Sequence, residues 1–520
     1  LKQWRTPVSR NKPANAERMR IKMSKGLKKF LAAAFAGVLM IGNVSALSVG
    51  AEEPYDVYNY DRWGEPIPSQ AGYIADRAVS GDDLGVGHFK DPSDLFKDAD
   101  NNFYIVDTGN SRIVIVDSEF RRVLKILDTF RYADGTETTL KNPKGIFVSD
   151  TDGMLYIADN DNARVIRCDA DGNINLEITK PESEIFNQDL TFLPQKVLAD
   201  KAGNIYVVLN NVTSGAAMFD SEGAFIGYYG ANRVEATSEV LANYFWNAIL
   251  SDEARAKRRR SVPAGFSNFD IDSEGFIFTS TESTTQTTDI VKKLSPSGDN
   301  LFADYEIYIG DYPSMAISSS VKVDETQLVD IDISEDGTIN CLDLATGRVF
   351  QYDEELWLMF IIGTKADQLG GFTRPSALET MDDNIYVLDQ TKATVTIFVE
   401  TEFGEIVHEA VSLYNGGYYE EALDPWNEIL KRDGNYRRAY IGIASAMLNK
   451  GEYKSAMKYA KMADAAGIYN KAFEGWRSDF LKEYFAWIIG GAAVVIIGSV
   501  VLVKVRKKKK AERAKKESEE

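Results

Sequence analysis

Short runs of alternating apolar and polar residues dominate the chain from Phe89 to about Val399. Alternation with a period of two is typical of β-strands that bury one face. The runs repeat as a unit, in which a proline or small residue opens an apolar strand, a turn follows, and an aromatic residue leads the second strand. The unit starts at Pro92, Pro143 and Pro194, which are 51 residues apart, and in weaker form near Pro263, Val329 and Pro375. We therefore expect six copies of one supersecondary unit.

The residues between the runs are those of tight turns. Stretches rich in Asp, Asn or Gly that begin at Asp98, Asp150 and Asp200 separate the first and second strands of their units. Such residues tolerate the backbone conformations that hairpins need. Hairpin units that repeat around an axis form a propeller, so we predict an all-β six-bladed propeller over residues 89–403. In the preceding segment 52–88, we expect Ile67–Val79 to pair into the last blade and close the ring.

Two segments change to helical spacing. In the insertion 235–261, the apolar spacing predicts an amphipathic helix, for which packing on a blade and docking of a partner are equally open interpretations. In the unit 404–482, four residues recur after 34 positions. These are Leu413, Gly417, Tyr419 and Ala422, which return as Met447, Gly451, Tyr453 and Ala456. The repeat resembles two tetratricopeptide repeats, which implies a helical scaffold with a concave peptide-binding face.

Both ends of the chain carry an apolar run. Phe30–Ile41 follows several lysines and precedes small residues, so we interpret residues 1–51 as an upstream extension plus a secretory signal peptide. Tyr484–Val503 has the ~20 apolar residues that a membrane-spanning helix needs. The lysine-rich segment 504–520 follows at once. Basic residues next to a span stay in the cytoplasm, so we expect a single-pass cell-membrane protein with its N-terminus outside and its C-terminus inside.

Charge is distributed unevenly along the chain. The formal net charge is −19, yet the two terminal segments are basic, so the part between them is strongly acidic. Nucleic acids require a basic face, and we exclude them as partners of this part. An acidic surface suits extracellular solubility or the binding of cations.

Few residues are candidates for catalysis or metal binding. We expect His408 to lie on the surface of a helix rather than to act as a base, and we assign no catalytic residue and no cofactor. Asp98, Asp100 and Asn102 have the first three ligand spacings of a calcium loop, but the glycine and glutamate that complete such a loop are absent from their positions. These three residues are candidates for calcium or another divalent metal, with a solvated hairpin turn as the alternative.

Two stretches share a signature at the end of the second strand of their unit. The matching residues are Asp107, Asn110 and Arg112 in the first unit, and Asp159, Asn162 and Arg164 in the second. They resemble the Asp-x-x-Asn-x-Arg signature of NHL-repeat propellers. The resemblance implies a structural role, in which the Asp and the Arg fix the turn by a charge-assisted hydrogen bond. Units three to five depart from it and are expected to lack the Asn and the Arg.

The order of the segments is similar to that of bacterial membrane-bound NHL proteins found beside sugar ABC transporters. This resemblance implies a non-catalytic binding or scaffold protein at the outer membrane face, whose partner is a protein such as a transporter complex, or a glycan. The alternative is a metal-dependent lactonase, since six-bladed propellers of the gluconolactonase family hold a divalent metal at the channel mouth. Their opening Glu-Gly-Pro falls here at Lys90-Asp91-Pro92.

Overall fold

A computed structural model describes residues 55–61, 63–210, 212–230, 265–281, 290–303, 308–311 and 326–517. The predicted signal peptide in residues 1–51 and the predicted helical insertion 235–261 lie outside these residues. The last three residues of the predicted basic tail lie outside them as well.

The propeller consists of six antiparallel sheets arranged around a channel. Ahead of the first blade lie β1 (Tyr58–Tyr60), β2 (Pro66–Pro68) and β3 (Tyr73–Ser80). Blade 1 contains β4 (Asp94–Lys97), β5 (Phe103–Asp107), β6 (Arg112–Val116) and β7 (Val123–Leu127); the short pair β8 (Phe130–Arg131) and β9 (Glu137–Thr138) follows it. Blade 2 contains β10 (Pro143–Val148), β11 (Leu155–Asp159), β12 (Arg164–Cys168) and β13 (Ile174–Ile178). Blade 3 contains β14 (Pro194–Ala199), β15 (Ile205–Leu209), β16 (Ala216–Phe219) and β17 (Phe225–Tyr229).

The second half of the ring repeats this architecture. The described part of blade 4 contains β18 (Phe266–Ile271), β19 (Ile277–Thr281) and β20 (Val291–Leu294). Blade 5 contains β21 (Leu328–Ile333), β22 (Ile339–Asp343), β23 (Arg348–Tyr352) and β24 (Leu358–Ile362); the short parallel pair β25 (Thr364–Lys365) and β26 (Gly371–Phe372) follows it. Blade 6 contains β27 (Pro375–Met381), β28 (Asn384–Asp389) and β29 (Thr394–Glu400).

Strand β3 completes the last blade. It pairs antiparallel with β29, from Tyr73 opposite Glu400 to Ser80 opposite Thr394. Blade 6 therefore takes its outer strand from the N-terminal side of the ring and its three other strands from the C-terminal side. This pairing ties the two ends of the propeller together and covers the outer edge of β29.

Five helices follow the propeller. They are α1 (Glu402–Asn415), α2 (Leu423–Arg432), α3 (Arg437–Asn449), α4 (Tyr453–Met462) and α5 (Ala466–Glu517). The hydroxyl of Thr401 caps α1 by accepting the N–H of Gly404 at 3.1 Å. This capping residue follows β29 directly, so the helical unit starts on blade 6 without a linker.

The helical unit and the propeller share one hydrophobic core. Phe403 and Trp426 from the helices are buried in the same cluster as Tyr73 and Phe360 from blades 6 and 5. The hydroxyl of Tyr436 also donates to the backbone oxygen of Met359 at 3.0 Å. Burial of aromatic side chains on both sides makes this a core rather than a contact between independent domains.

His408 lies at this boundary, contrary to the expectation that it lies on a helix surface. Its side chain is 13% exposed, its Nε2 is 3.0 Å from Oε1 of Gln351, and its Nδ1 bonds with Glu400. Strands of blades 5 and 6 pack on the polar face of α1 that carries His408, and the sequence of the helix gives no sign of this contact.

The end of the predicted unit 404–482, the predicted span and most of the predicted tail form one continuous helix of 52 residues. One 18-residue window in it has a mean hydropathy of 2.5, and none of that window is buried within the protein. Among the described residues, this is the one helix that is long and apolar enough to cross a membrane.

Candidate functional site

The inner strands of all six blades end at a cavity of about 570 Å³. Its size is within the range of small-molecule sites, roughly 300–1,000 Å³. Eleven carboxylic acids and three lysines line it, together with aromatic residues such as Phe96 and Phe147. The acidic side chains are Asp98, Asp150, Asp200, Asp270, Asp272, Glu274, Asp332, Glu335, Asp336, Glu354 and Glu379.

Carboxylates of the inner strands also join neighbouring blades. Inner strands of adjacent blades belong to different sheets, so no β-ladder satisfies the N–H groups that they present to each other. The Oδ2 atom of an aspartate accepts such an N–H in three places. These bonds run from Ile146 to Asp94 at 2.8 Å, from Ile333 to Asp270 at 2.8 Å, and from Leu378 to Asp330 at 2.7 Å.

Side chains in the channel supply further partners for these carboxylates. Lys196 forms an ion pair with Asp94, and the amide of Asn268 donates to Asp330. The hydroxyl of Thr380 donates to Asp332 at 2.7 Å. Burial lowers the pKa of Lys196, but the charges of Asp94 and Asp330 outweigh that effect and raise this pKa above its ordinary value.

Glu379 differs from its neighbours. It is 9% exposed and lines both the large cavity and a smaller one of about 30 Å³ that is adjacent to the interblade carboxylates. Within the part of the chain that the structure describes, its carboxylate accepts no hydrogen bond. A buried polar group without a partner costs free energy, and a charged one costs more.

Burial and mutual repulsion weaken the acidity of this cluster. Burial, with the charge of Asp94 as a further cause, raises the pKa of Asp330 to about 7. Burial likewise raises the pKa of Asp270 to about 6. It raises the pKa values of Asp332 and Glu379 well above their ordinary ranges, and neighbouring carboxylates add to both shifts. Burial therefore disfavours the charged form of these acids, and the repulsion between their carboxylates disfavours further negative charge in the channel.

The three candidate calcium ligands lie in the turn between β4 and β5. Oδ1 of Asp98 accepts the N–H groups of Asp100 at 3.0 Å and of Asn102 at 2.8 Å. Its Oδ2 accepts the amide of Asn102 at 3.1 Å and the hydroxyl of Tyr104 at 3.0 Å. Asp200 makes the corresponding bonds in blade 3, so the three residues form one copy of a recurring hairpin turn. No three His, Cys, Asp or Glu side chains of the described residues form a group that could hold a metal ion.

The NHL-like residues lie at the opposite ends of the blades, between the second and third strands. In blade 2, the carboxylate of Asp159 accepts Nε of Arg164 at 2.8 Å and the amide of Asn162 at 2.8 Å. It also accepts the N–H of Lys141 at 2.7 Å, which fixes the chain that enters the blade. In blade 1 the same bonds join Asp107 to Arg112 at 2.7 Å, to Asn110 at 2.8 Å and to the N–H of Lys90 at 2.7 Å.

The expectation that blade 5 lacks the arginine of this signature is wrong. Arg348 pairs opposite Asp343 in the β-ladder, which is the register of Arg112 opposite Asp107. Its guanidinium does not bind Asp343, because it forms an ion pair with Asp311 and lies over the ring of Tyr58, 5.2 Å from the centroid. The signature is incomplete in the sequence of blade 5, where Thr346 stands in place of the asparagine.

We expect the substitution Asp159→Ala to lower the free energy of unfolding by about 2–4 kcal/mol, because it leaves the buried Arg164 guanidinium and a backbone N–H without their acceptor. Urea unfolding followed by tryptophan fluorescence measures this change. Asp161→Ala, at an exposed position of the same turn, is the control and should change stability by less than about 0.5 kcal/mol. Equal effects of the two substitutions would contradict a structural role of the motif.

The segment that corresponds to the metal-binding start of a lactonase does not reach the acidic cavity. Lys90 accepts the N–H of Gly109 at 2.8 Å and thus lies beside the turn after β5. The cavity is lined from Phe96 to Ala99, at the other end of β4. No observation on the described residues favours metal-dependent lactone hydrolysis.

The eight residues of the 34-residue repeat occupy equivalent positions in two helical hairpins. Gly417 and Gly451 end α1 and α3 with φ angles of +80° and +74°. In each turn the N–H after the glycine donates to the carbonyl oxygen of Leu413 at 2.8 Å or of Met447 at 2.9 Å, as in a Schellman motif. Ala422 and Ala456 are fully buried, and the rings of Tyr419 and Tyr453 contact Tyr414 and Gly475.

No protein-family model matches this sequence, and a search of curated proteins gives no match. Solved structures with a similar fold include virginiamycin B lyase from Staphylococcus aureus, which is 12% identical with a TM-score of 0.34 and is matched over 60% of this chain and 80% of its own. Hydrazine synthase from Kuenenia stuttgartiensis is 12% identical with a TM-score of 0.35, over 64% of this chain and 99% of its own. The extracellular domain of a hybrid two-component system from B. thetaiotaomicron is 12% identical with a TM-score of 0.34, over 66% and 40%. At these values nothing about their functions is carried over to this chain.

Proposed function

We propose that this protein is a membrane-anchored binding protein. Its propeller lies outside the cell and receives a ligand in the acidic cavity, while its helical hairpins, a tetratricopeptide-like unit, and the adjoining start of α5 dock a membrane protein such as a sugar transporter. The observation that carries this proposal is that the propeller, the hairpins and α5 are packed on one another. The propeller and the hairpins share one hydrophobic core, and the last hairpin packs on α5.

Helix α5 has the features of an anchor. The side chains of its apolar stretch are exposed, including Trp487 and Val494, and a soluble protein would bury such a stretch. The apolar stretch ends at Val503, and a run of basic residues begins at Lys504. By the positive-inside rule, the proposal places these residues in the cytoplasm and the propeller on the other side.

An aromatic stripe on α5 suggests where a membrane partner docks. The rings of Phe473, Trp476, Phe480 and Tyr484 follow each other along one face, with centroids 5.8, 5.5 and 4.9 Å apart. Phe473 and Phe480 are about 40% exposed. Exposed aromatic residues next to a membrane span are typical of protein interfaces and of membrane–water boundaries.

We expect the tagged full-length protein, purified in a mild detergent, to carry subunits of a sugar-uptake transporter with it. The double substitution Phe473→Ser and Phe480→Ser should abolish this co-purification, since it removes two partly exposed rings of the aromatic stripe. Quantitative mass spectrometry of the purified material measures the enrichment.

Ile226→Ser, which removes an exposed apolar side chain from blade 3, is the matched control and should leave the enrichment unchanged. A protein that purifies alone would contradict the docking part of the proposal. Equal enrichment with the wild type and the double variant would contradict the aromatic stripe as the docking site.

A further inference from the structure

Carboxyl groups outnumber basic side chains in the propeller channel. The three lysines of the cavity are already engaged: Lys97 lies 3.8 Å from Glu335, Lys293 lies 3.4 Å from Asp272, and Lys201 donates to the backbone oxygen of Ser273 at 2.5 Å. Their partners are rim carboxylates and a backbone oxygen. Most of the eleven acids that line the cavity therefore lack a cationic partner among the described residues.

Glu379 is a buried acid of the channel whose carboxylate can accept a hydrogen bond from a ligand. Its neighbours Asp270 and Asp332 accept hydrogen bonds from Ile333 and Thr380, whereas the Glu379 carboxylate faces the cavity without such a bond. A buried acceptor of this kind is stabilised when a donor with positive charge enters the cavity. Asp332 is close enough to add to the attraction, since its charge acts on Glu379.

The spacing of the acids and the size of the cavity favour an organic cation over a metal ion. The described residues contain no group of three or more ligating side chains that could hold a metal ion, so the acids are too dispersed for a single ion. A cavity of about 570 Å³ holds a molecule of many atoms. The rings of Phe96 and Phe147, 5.2 Å apart, add apolar surface on which a methylene chain can pack.

We propose that the channel binds an organic cation with at least two amine groups, such as a polyamine. One ammonium group of this ligand donates to Glu379, while the methylene chain of the ligand contacts the rings of Phe96 and Phe147. The inference rests on the proposed binding function and gives its ligand class. The remaining amines reach the rim carboxylates, which explains why acidic residues continue from Asp332 outward to Asp336 and Glu354.

The test is isothermal titration of the full-length protein in detergent with spermidine, at low salt. We expect saturable binding that weakens at least tenfold in the Glu379→Gln variant and weakens as salt rises. Glu222→Gln, on an exposed turn of blade 3 outside the cavity, should bind like the wild type. Triethylene glycol, which has a similar length and no charge, should not bind. A thermal melt of each variant shows that it is folded.

Four outcomes would overturn the inference. Absence of saturable spermidine binding excludes a polyamine site. Equal affinities of the Glu379→Gln and Glu222→Gln variants place any binding elsewhere on the acidic surface. Binding of a neutral oligosaccharide, with no response to spermidine, refutes the amine inference but leaves the proposed binding function intact. Loss of every ligand response together with loss of partner co-purification would remove both.

Discussion

Replacing Arg438 by methionine is expected to lower the free energy of unfolding by about 3–5 kcal/mol, the cost of leaving one partner of a buried ion pair alone. Arg438 on α3 donates from Nε to Oδ2 of Asp353, in the turn between β23 and β24, at 2.6 Å. The two side chains are 2% and 0% exposed. The substitution therefore leaves the charge of Asp353 buried at the junction of propeller and helices.

The guanidinium of Arg438 is only partly satisfied by its surroundings. Its Nη1 and Nη2 atoms are buried and make no hydrogen bond with any residue that the structure describes, although Glu355 lies 3.8 Å from Nη2. The guanidinium instead lies 4.5 Å from the centroid of the Tyr414 ring. Since the ion pair is only partly satisfied, the double variant Arg438→Met and Asp353→Asn should recover more than half of the loss. The asparagine removes the charge and can still accept the N–H groups of Glu355 and Trp357.

Urea unfolding of the wild type, both single variants and the double variant gives the interaction free energy of the pair. Arg121→Met is the control, since Arg121 forms a 2.8 Å ion pair with Glu119 on the surface and is 71% exposed. That change should be below about 1 kcal/mol. A similarly small change for Arg438→Met would show that the junction does not depend on this pair.

The second large effect is on the pH dependence of stability. Acidification from pH 8 to pH 5.5 is expected to raise the melting temperature of the ligand-free protein by about 3–6 °C. The folded pKa values of Asp330 and Asp270 are raised to about 7 and about 6, and burial raises those of Asp332 and Glu379 as well. The folded state thus binds these protons more tightly than the unfolded chain, so stability falls as the pH rises between the unfolded and the folded pKa values.

The neighbours of this cluster do not reverse the sign. Lys97 and Lys196 face it and lower the pKa values of the acids, but burial is the larger cause and the pKa values of Asp330 and Glu379 stay raised. Glu379→Gln removes one of the repelling charges and should raise the melting temperature at pH 8 while reducing its pH dependence. Differential scanning calorimetry at both pH values measures this, with Glu222→Gln as the control. A wild-type protein that is less stable at pH 5.5 than at pH 8 would contradict the prediction.

Calorimetry and spermidine titration of the Glu379→Gln variant together distinguish a ligand-binding site from a cluster that only stabilises the fold. A structural role of Glu379 predicts that Glu379→Gln lowers stability, because the fold would lose a favourable interaction. A ligand site predicts the opposite in the ligand-free protein and a loss of spermidine binding, because residues placed for a ligand are unfavourable without it. The stability change of Glu379→Gln therefore has opposite signs under the two explanations, and only a ligand site also predicts a loss of spermidine binding.

The strands, the blades and the helix ends of this protein can be predicted from patterns of neighbouring residues in the sequence. Alternation with a period of two specified the strands, prolines at Pro92, Pro143 and Pro194 marked the blades, and the glycines at Gly417 and Gly451 marked equivalent helix ends. These features act within a few residues of the chain, where backbone sterics and burial of one face suffice to choose the structure. The apolar stretch of α5 is equally local, since its length and composition alone distinguish it.

The acidic site could not be read in this way. Asp330 and Asp332 alternate with apolar residues in β21 like the solvent-facing positions of any strand, and Glu379 is one polar residue in β27. Closing six blades into a ring turns these faces toward one axis, where carboxylates from different blades meet and lose their water. Arg438 and His408 similarly look like surface residues of helices until blade 5 and blade 6 cover them. Short-range periodicity determines the strands and helices of this protein. Burial and charge at its centre instead depend on residues that are far apart in the chain, such as Asp94 and Glu379, which are 285 positions apart and line one cavity.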